Sequence, residues 1–157
     1  MRSERGVWYF NVADGDGQRV KTEAGVRSVP VHSVLIKVGL LDHVKHLKKH
    51  PSGRLFPGLK RGGPDGKLNW YFTGRVGAHF KKLGISRKRV TFHSLRTNVG
   101  TALDRARVPE SEAVQALGHE KMSMSYSVYS LGLELPALRA IVEKIRYPGL
   151  SLAHLHA

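Results

Sequence analysis

Residues 90–119 read VTFHSLRTNVGTALDRARVPESEAVQALGH, and two helices are written into them. The first begins near His93 and reaches about Arg105 through a run of small and apolar side chains. The second starts at Pro109, whose fixed φ suits a first helical position, and carries Glu110 and Glu112 in its first turn, where the helix dipole favours acids. Gly118 supplies the residue type that ends helices in the left-handed conformation, leaving His119 just beyond. His93 and Arg96 stand three apart, so on the first helix both project from one face toward a common target.

Beyond this pair lies a short polar stretch holding Tyr126 and Tyr129, then a helix over about 135–146, and a break at Pro148 and Gly149. The tail LSLAHLHA, residues 150–157, offers Leu150, Leu152 and Leu155 for packing on the domain or on a neighbouring subunit. In the other direction, residues 68–83 fit a helix with Gly84 as its stop, and the Pro- and Gly-dense residues 51–66 read as loop. Ser33 is placed to cap a helix running to about Lys49, with Leu35, Leu40, Leu41, Val44 and Leu47 at helical spacing. At the front, VWYFNV (7–12), QRVKT (18–22) and VRSVPV (26–31) are short β-rich runs separated by Gly-containing turns, which predicts a three-stranded antiparallel meander. The expected fold is α+β, mainly α-helical with a small antiparallel sheet near the N-terminus. A chain of 157 residues suits one core, so a single domain over 1–150 and a tail over 151–157 are expected.

Lys and Arg number 26 against 12 acidic residues, a net charge of +14. Residues 37–107 hold 17 of these cations with only Asp42, Asp65 and Asp104, while the rest of the chain carries nine of each sign. A basic stretch of this kind attracts polyanions, and counterion release from a nucleic acid backbone supplies affinity independent of base sequence. Lys48, Lys49, Lys81, Lys82, Arg87, Lys88 and Arg89 are the candidate backbone contacts, with double-stranded DNA as the expected partner. The absence of cysteine excludes disulfides, thiolate metal sites and cysteine nucleophiles. No apolar run approaches the roughly 18 residues of a membrane span, and MRSERGVWYF lacks the apolar centre of a signal peptide, so a soluble cytoplasmic protein with no membrane partner is expected. His43, His46 and His50 recur at i, i+3 and i+7, but no fixed carboxylate accompanies them, and a solvated basic face rather than a metal site is the reading.

The motifs also come in a definite order: V-K-T (20–22), R-S-V-P (27–30), H-S-L-R (93–96), L-G-H (117–119) and V-Y-S (128–130). This ordered set resembles the catalytic domain of the tyrosine recombinases, the phage integrase family, over residues 8–150. The closing I-R-Y-P-G-L (145–150) is similar to the C-terminal segment of phage-type bacterial integrases. The resemblance implies site-specific DNA breakage and rejoining with Tyr129 as nucleophile, Arg96 and His119 on the scissile phosphate, His93 in proton transfer and Lys21 as acid for the leaving oxygen. It implies neither metal nor other cofactor, and it implies partners in DNA, further copies of the chain or a full-length integrase. Tyr126 competes with Tyr129, because the interval from His119 to Tyr129 is one residue longer than the commonest family pattern. The family's first arginine, in a context like G-x-R-x-x-E, has no counterpart here, since Arg2 and Arg5 precede the first expected strand with no helix to hold them. The resemblance therefore implies a catalytic domain cut short at its front. Two functions are expected from it: an impaired recombinase, or a non-catalytic DNA-binding or subunit-docking remnant.

Overall fold

VWYFNV forms a half-buried strand. In a computed structural model that describes residues 1–15, 20, 25–47, 54–85, 90–118 and 132–155, Val7 and Tyr9 on one face of this strand are buried while Trp8 and Phe10 on the other are half-buried. Three strands, β1 (Arg2–Glu4), β2 (Val7–Val12) and β3 (Arg27–Pro30), form an antiparallel sheet in the order β1-β2-β3. β1 and β2 are joined at Arg5 (φ 47°) and Gly6 (φ 75°), with Glu4 opposite Val7. Positive φ at both central residues is what a two-residue type I′ hairpin requires.

The sheet is antiparallel and three-stranded, as expected, but its strands are not the expected three. Arg2–Glu4 provides one, although it holds no β-branched or aromatic residue, and β3 pairs directly with β2 from Tyr9↔Pro30 to Val12↔Arg27. The anticipated middle strand over 18–22 lies outside the described residues except for Val20, which belongs to no strand.

The helices are α1 (Ser33–Lys37), α2 (Leu40–Leu47), α3 (Trp70–Lys82), α4 (Ser94–Arg105), α5 (Glu110–Leu117) and α6 (Leu135–Val142), with a 3₁₀ turn at Ala153–Leu155. The helix expected over 33–49 is broken: Val38 leaves helical geometry and Gly39 takes φ 85°, a value glycine adopts without steric cost. Its cap is His32 rather than Ser33. The His32 ring accepts the Val34 N–H at Nδ1, and its Nε2 bonds the Ile145 carbonyl. Ser33, one position later, gives both its N–H (2.8 Å) and its hydroxyl (2.7 Å) to the carboxylate of Glu143 at the end of α6. A side chain 110 residues away thus satisfies a helix-start donor that a local cap was expected to satisfy.

α3 ends as its sequence directs. The Gly84 N–H (φ 73°) bonds the Lys81 carbonyl and the Ile85 N–H bonds the Phe80 carbonyl, a Schellman pair. α4 closes in the same way with Arg107 at the left-handed position (φ 56°) and Val108 bonded back to Leu103.

The chain divides into two compact units, Met1–Gly39 with Val99–Ala157, and Leu40–Asn98. In the first, α6 packs on β2, β3 and α5, and Leu103, Val108 and Ile141 form the core with Val99, Ala113 and Leu117 against it. Val7, Tyr9, Val31, Ala102 and Val142 are also buried there. In the second unit no described hydrophobic residue is fully buried, and Leu40, Leu41, Val44 and Leu47 are half-buried at most. Leu35 of α1, expected in the core, is exposed, as are Leu150 and Leu155 of the tail.

Candidate functional site

The division into units is also a division of charge. Residues 40–98 carry 14 Lys and Arg against Asp42 and Asp65, whereas the first unit carries 12 against 10. Both aspartates are already answered. Lys45 bonds Asp42 at 2.8 Å and Lys67 bonds Asp65 at 2.7 Å, and these hydrogen-bonded ammonium groups hold both carboxyls below the usual range. No described acid of the second unit is left to offset its remaining cations.

Lys81 and Lys82 lie exposed in the last turn of α3, where cations also complement the dipole of the helix C-terminus. Lys48, Lys49, Arg87, Lys88 and Arg89 lie outside the described residues. The two histidines of the i, i+3 series that are described each donate to a backbone carbonyl: His43 to Leu55 (2.9 Å) and His46 to Asp42 (2.7 Å). His43 also stacks on Phe56. Among the described residues no group of three metal-ligating side chains gathers, and no helix is long and apolar enough to cross a membrane.

His93 and Arg96 sit at the start of α4, one turn apart, with the Arg96 N–H bonded to the His93 carbonyl at 2.9 Å. The His93 side chain is exposed and that of Arg96 is half-buried. Their approach is braced on both sides. The turn before the helix is closed by Ser94, whose hydroxyl accepts the Thr91 N–H and whose own N–H bonds the Thr91 carbonyl. Phe92 meets Phe72 of α3 edge to face at 5.4 Å, the favoured aromatic geometry. A guanidinium is a planar donor suited to phosphate oxygens.

Lys21, His119 and Tyr129, with the competing Tyr126, lie outside the described residues, so the described structure brings together only His93 and Arg96 of the expected catalytic set. Gly118, at φ 63°, ends α5 as expected, and its missing side chain leaves room for the Arg27 guanidinium, whose Cζ would stand 2.5 Å from a Cβ there. Arg27 is the arginine of the R-S-V-P motif, and it also donates to the Gly25 carbonyl. The Leu133 N–H is taken by the side-chain oxygen of Gln115 at 2.8 Å, while the Gln115 amide donates to Ser111. Gly118 and Leu133, the latter through Gln115, are thus both tied to α5.

Sequence reading passed over Trp70 and Tyr71. They sit in the first turn of α3 and are 50% and 55% exposed, as no hydropathy pattern announces. No protein-family model matches the chain, and no curated protein and no solved structure matches it either.

Proposed function

We propose that this protein acts on DNA as a tyrosine-recombinase-type enzyme, breaking and rejoining the strand through a 3′-phosphotyrosyl intermediate. The observation that carries the DNA part of the reading is the segregation of 14 basic residues and two neutralised acids into one unit. The chemical part rests on the ordered motifs and on the His93–Arg96 turn at the head of α4. The α+β arrangement, with a small sheet at the front and helices after it, is compatible with the recombinase catalytic domain.

In the proposed reaction the Tyr129 oxygen attacks the scissile phosphorus in line. The bond to the 5′ oxygen breaks, and a 3′-phosphotyrosine and a free 5′-hydroxyl result, so the ester energy is kept for rejoining. Arg96 and His119 stabilise the charge on the phosphate oxygens. His93 assists removal of the tyrosine proton and Lys21 protonates the departing 5′ oxygen. The scheme uses neither metal nor nucleotide.

A second reading, a DNA-binding or subunit-docking protein without chemistry, is favoured by the charge itself, which suffices to hold DNA uncut. The experiment that separates the two is covalent trapping. The full chain is incubated with a nicked duplex that loses its 5′ fragment on cleavage, then resolved on a denaturing gel. A protein–DNA adduct that disappears in Tyr129→Phe supports the enzyme, and one that persists in Tyr129→Phe but disappears in Tyr126→Phe transfers the role. Salt-sensitive binding with no adduct establishes the second reading.

A further inference from the structure

We propose that the outward face of α3 is a lane for single-stranded DNA, with Trp70 and Tyr71 as base-stacking platforms and Arg75, Lys81 and Lys82 as phosphate contacts. The inference rests on the DNA reading above and adds to it the form of DNA, unpaired rather than duplex. α3 divides cleanly around its axis. Thr73, Val76, Gly77 and Phe80 are half-buried and fall on one side at the 100° spacing of a helix, while the exposed residues occupy the remaining arc.

That exposed arc has an order along it. Trp70 and Tyr71 stand at the N-terminal end, and Arg75, Lys81 and Lys82 follow toward the C-terminal end, over about 18 Å at 1.5 Å per residue. Between them Gly74 and Ala78 keep the surface low, and at Gly74 a Cβ would meet nothing within 4 Å. The helix has no acidic residue anywhere in its 13 positions.

The two rings are seated rather than loose. Trp70 rests against Gly63, and Tyr71 against Gly62, where a Cβ would come within 2.5 Å of its ring. The glycines belong to a small turn over residues 62–67, closed by the Gly62–Lys67 bridge and by Arg61 donating to the Gly66 carbonyl. Each side chain is supported from below while about half of it stays open.

Two neighbouring large rings held half-open, each seated on a glycine, form an apolar patch of the kind that marks a binding face. The charge around these selects the occupant: an apolar protein partner gains nothing from a field of unopposed cations, whereas a nucleic acid strand offers both faces of its bases and a phosphate for each. Stacking on aromatic side chains is tolerant of sequence, and duplex DNA, whose bases are already stacked, presents no free face to it.

The test uses the full chain with a labelled 15-nucleotide oligothymidylate and with a duplex of the same length, followed by anisotropy. Tyr71→Ala and Trp70→Ala are each expected to weaken oligothymidylate binding about tenfold while changing duplex affinity less than about twofold, and Tyr71→Phe, which keeps the ring, restores the parent value. In Trp8→Phe, which leaves Trp70 as the sole tryptophan, the oligonucleotide is expected to quench the emission. Equal losses on both DNAs, or no loss on either, overturn the lane and leave duplex binding standing. Self-association of the parent that is abolished by Tyr71→Ala overturns it in favour of a second copy of the chain. A parent that binds neither DNA overturns the DNA reading and the lane together.

Discussion

Neutralising Lys81 and Lys82 tests whether the charge of the second unit is spent on DNA. Of its 14 cations, Lys45 and Lys67 are bonded to aspartates, and the other 12 set the ceiling on phosphate contacts. If half of them reach phosphates of a duplex, the affinity should fall with salt with a log–log slope of about −5, since each phosphate contact contributes about −0.9. Between 50 and 200 mM salt the parent would then lose roughly 2,000-fold in affinity. Removing both lysines takes about 1.8 from the slope and cuts that loss to roughly 150-fold. Both side chains are exposed at the end of α3, so the substitution removes only a few tenths of a kcal/mol of dipole stabilisation and leaves the fold in place. The assay is anisotropy of a labelled duplex across a salt series, with Lys37→Ala of the first unit as control. Parallel lines for parent and double variant, whatever their vertical separation, would refute the assignment of these lysines to the DNA backbone.

Three further outcomes follow from the first unit. Arg107→Gly relieves a left-handed arginine at the end of α4 and should raise stability by about 1 kcal/mol in chemical denaturation, because the Val108–Leu103 bond that needs this geometry is retained. Glu143→Ala removes the acceptor of the Ser33 N–H and hydroxyl and should cost about 1–2 kcal/mol. Burial alone would raise the Glu143 pKa, but the Ser33 hydroxyl and amide, with His32 and Arg139 nearby, hold it below its ordinary value. Its contribution is therefore present above the unfolded carboxyl pKa and lost as pH falls through the lower folded one, so denaturation profiles of parent and Glu143→Ala should converge in acid. Gly118→Ala imposes a side chain at φ 63° and displaces the Arg27 guanidinium, and should lower stability by about 1–2 kcal/mol with a matching drop in thermal midpoint. An unchanged midpoint would show that Arg27 does not rest on this helix end.

The helices were the legible part of this sequence because their end signals are local. Gly84 and Gly118 stop α3 and α5 where glycine must, and Glu110 and Glu112 mark the first turn of α5. What was not legible depends on partners far along the chain. His32 rather than Ser33 is the cap, and the Ser33 hydroxyl is given to Glu143, a bond across 110 residues that no local pattern contains. The strand Arg2–Glu4 has no β-forming side chain of its own and is carried by pairing with β2. Its Arg-Gly turn, moreover, is not one of the Asn-Gly or Asp-Gly pairs that announce such a hairpin. Among the site residues, the His93–Arg96 spacing was readable from helix geometry. The exposure of Trp70 and Tyr71 was not, because aromatic residues in a helix read as core until the packing is known.

The same partition that carries the DNA reading makes the second unit costly to hold alone. With no described hydrophobic side chain fully buried, it gains less from the hydrophobic effect than the first unit, and a net charge of +12 over residues 40–98 repels itself. Its order rests on short-range devices: the Schellman end of α3, the Phe72–Phe92 contact, the His43–Leu55 bond and the turn that seats Trp70. A bound polyanion removes the repulsion and adds binding energy to the folded state, about 2.7 kcal/mol at a ligand concentration of 100 Kd. The first unit, with Leu103 and Ile141 at the centre of a closed core, has no comparable need. On the DNA reading, binding and consolidation of residues 40–98 are then one event, and salt, by screening phosphate contacts and self-repulsion alike, weakens the complex while relieving the free protein. On that reading the unit that carries the charge is the one its ligand completes, which is why the charge and the closed core lie in different units.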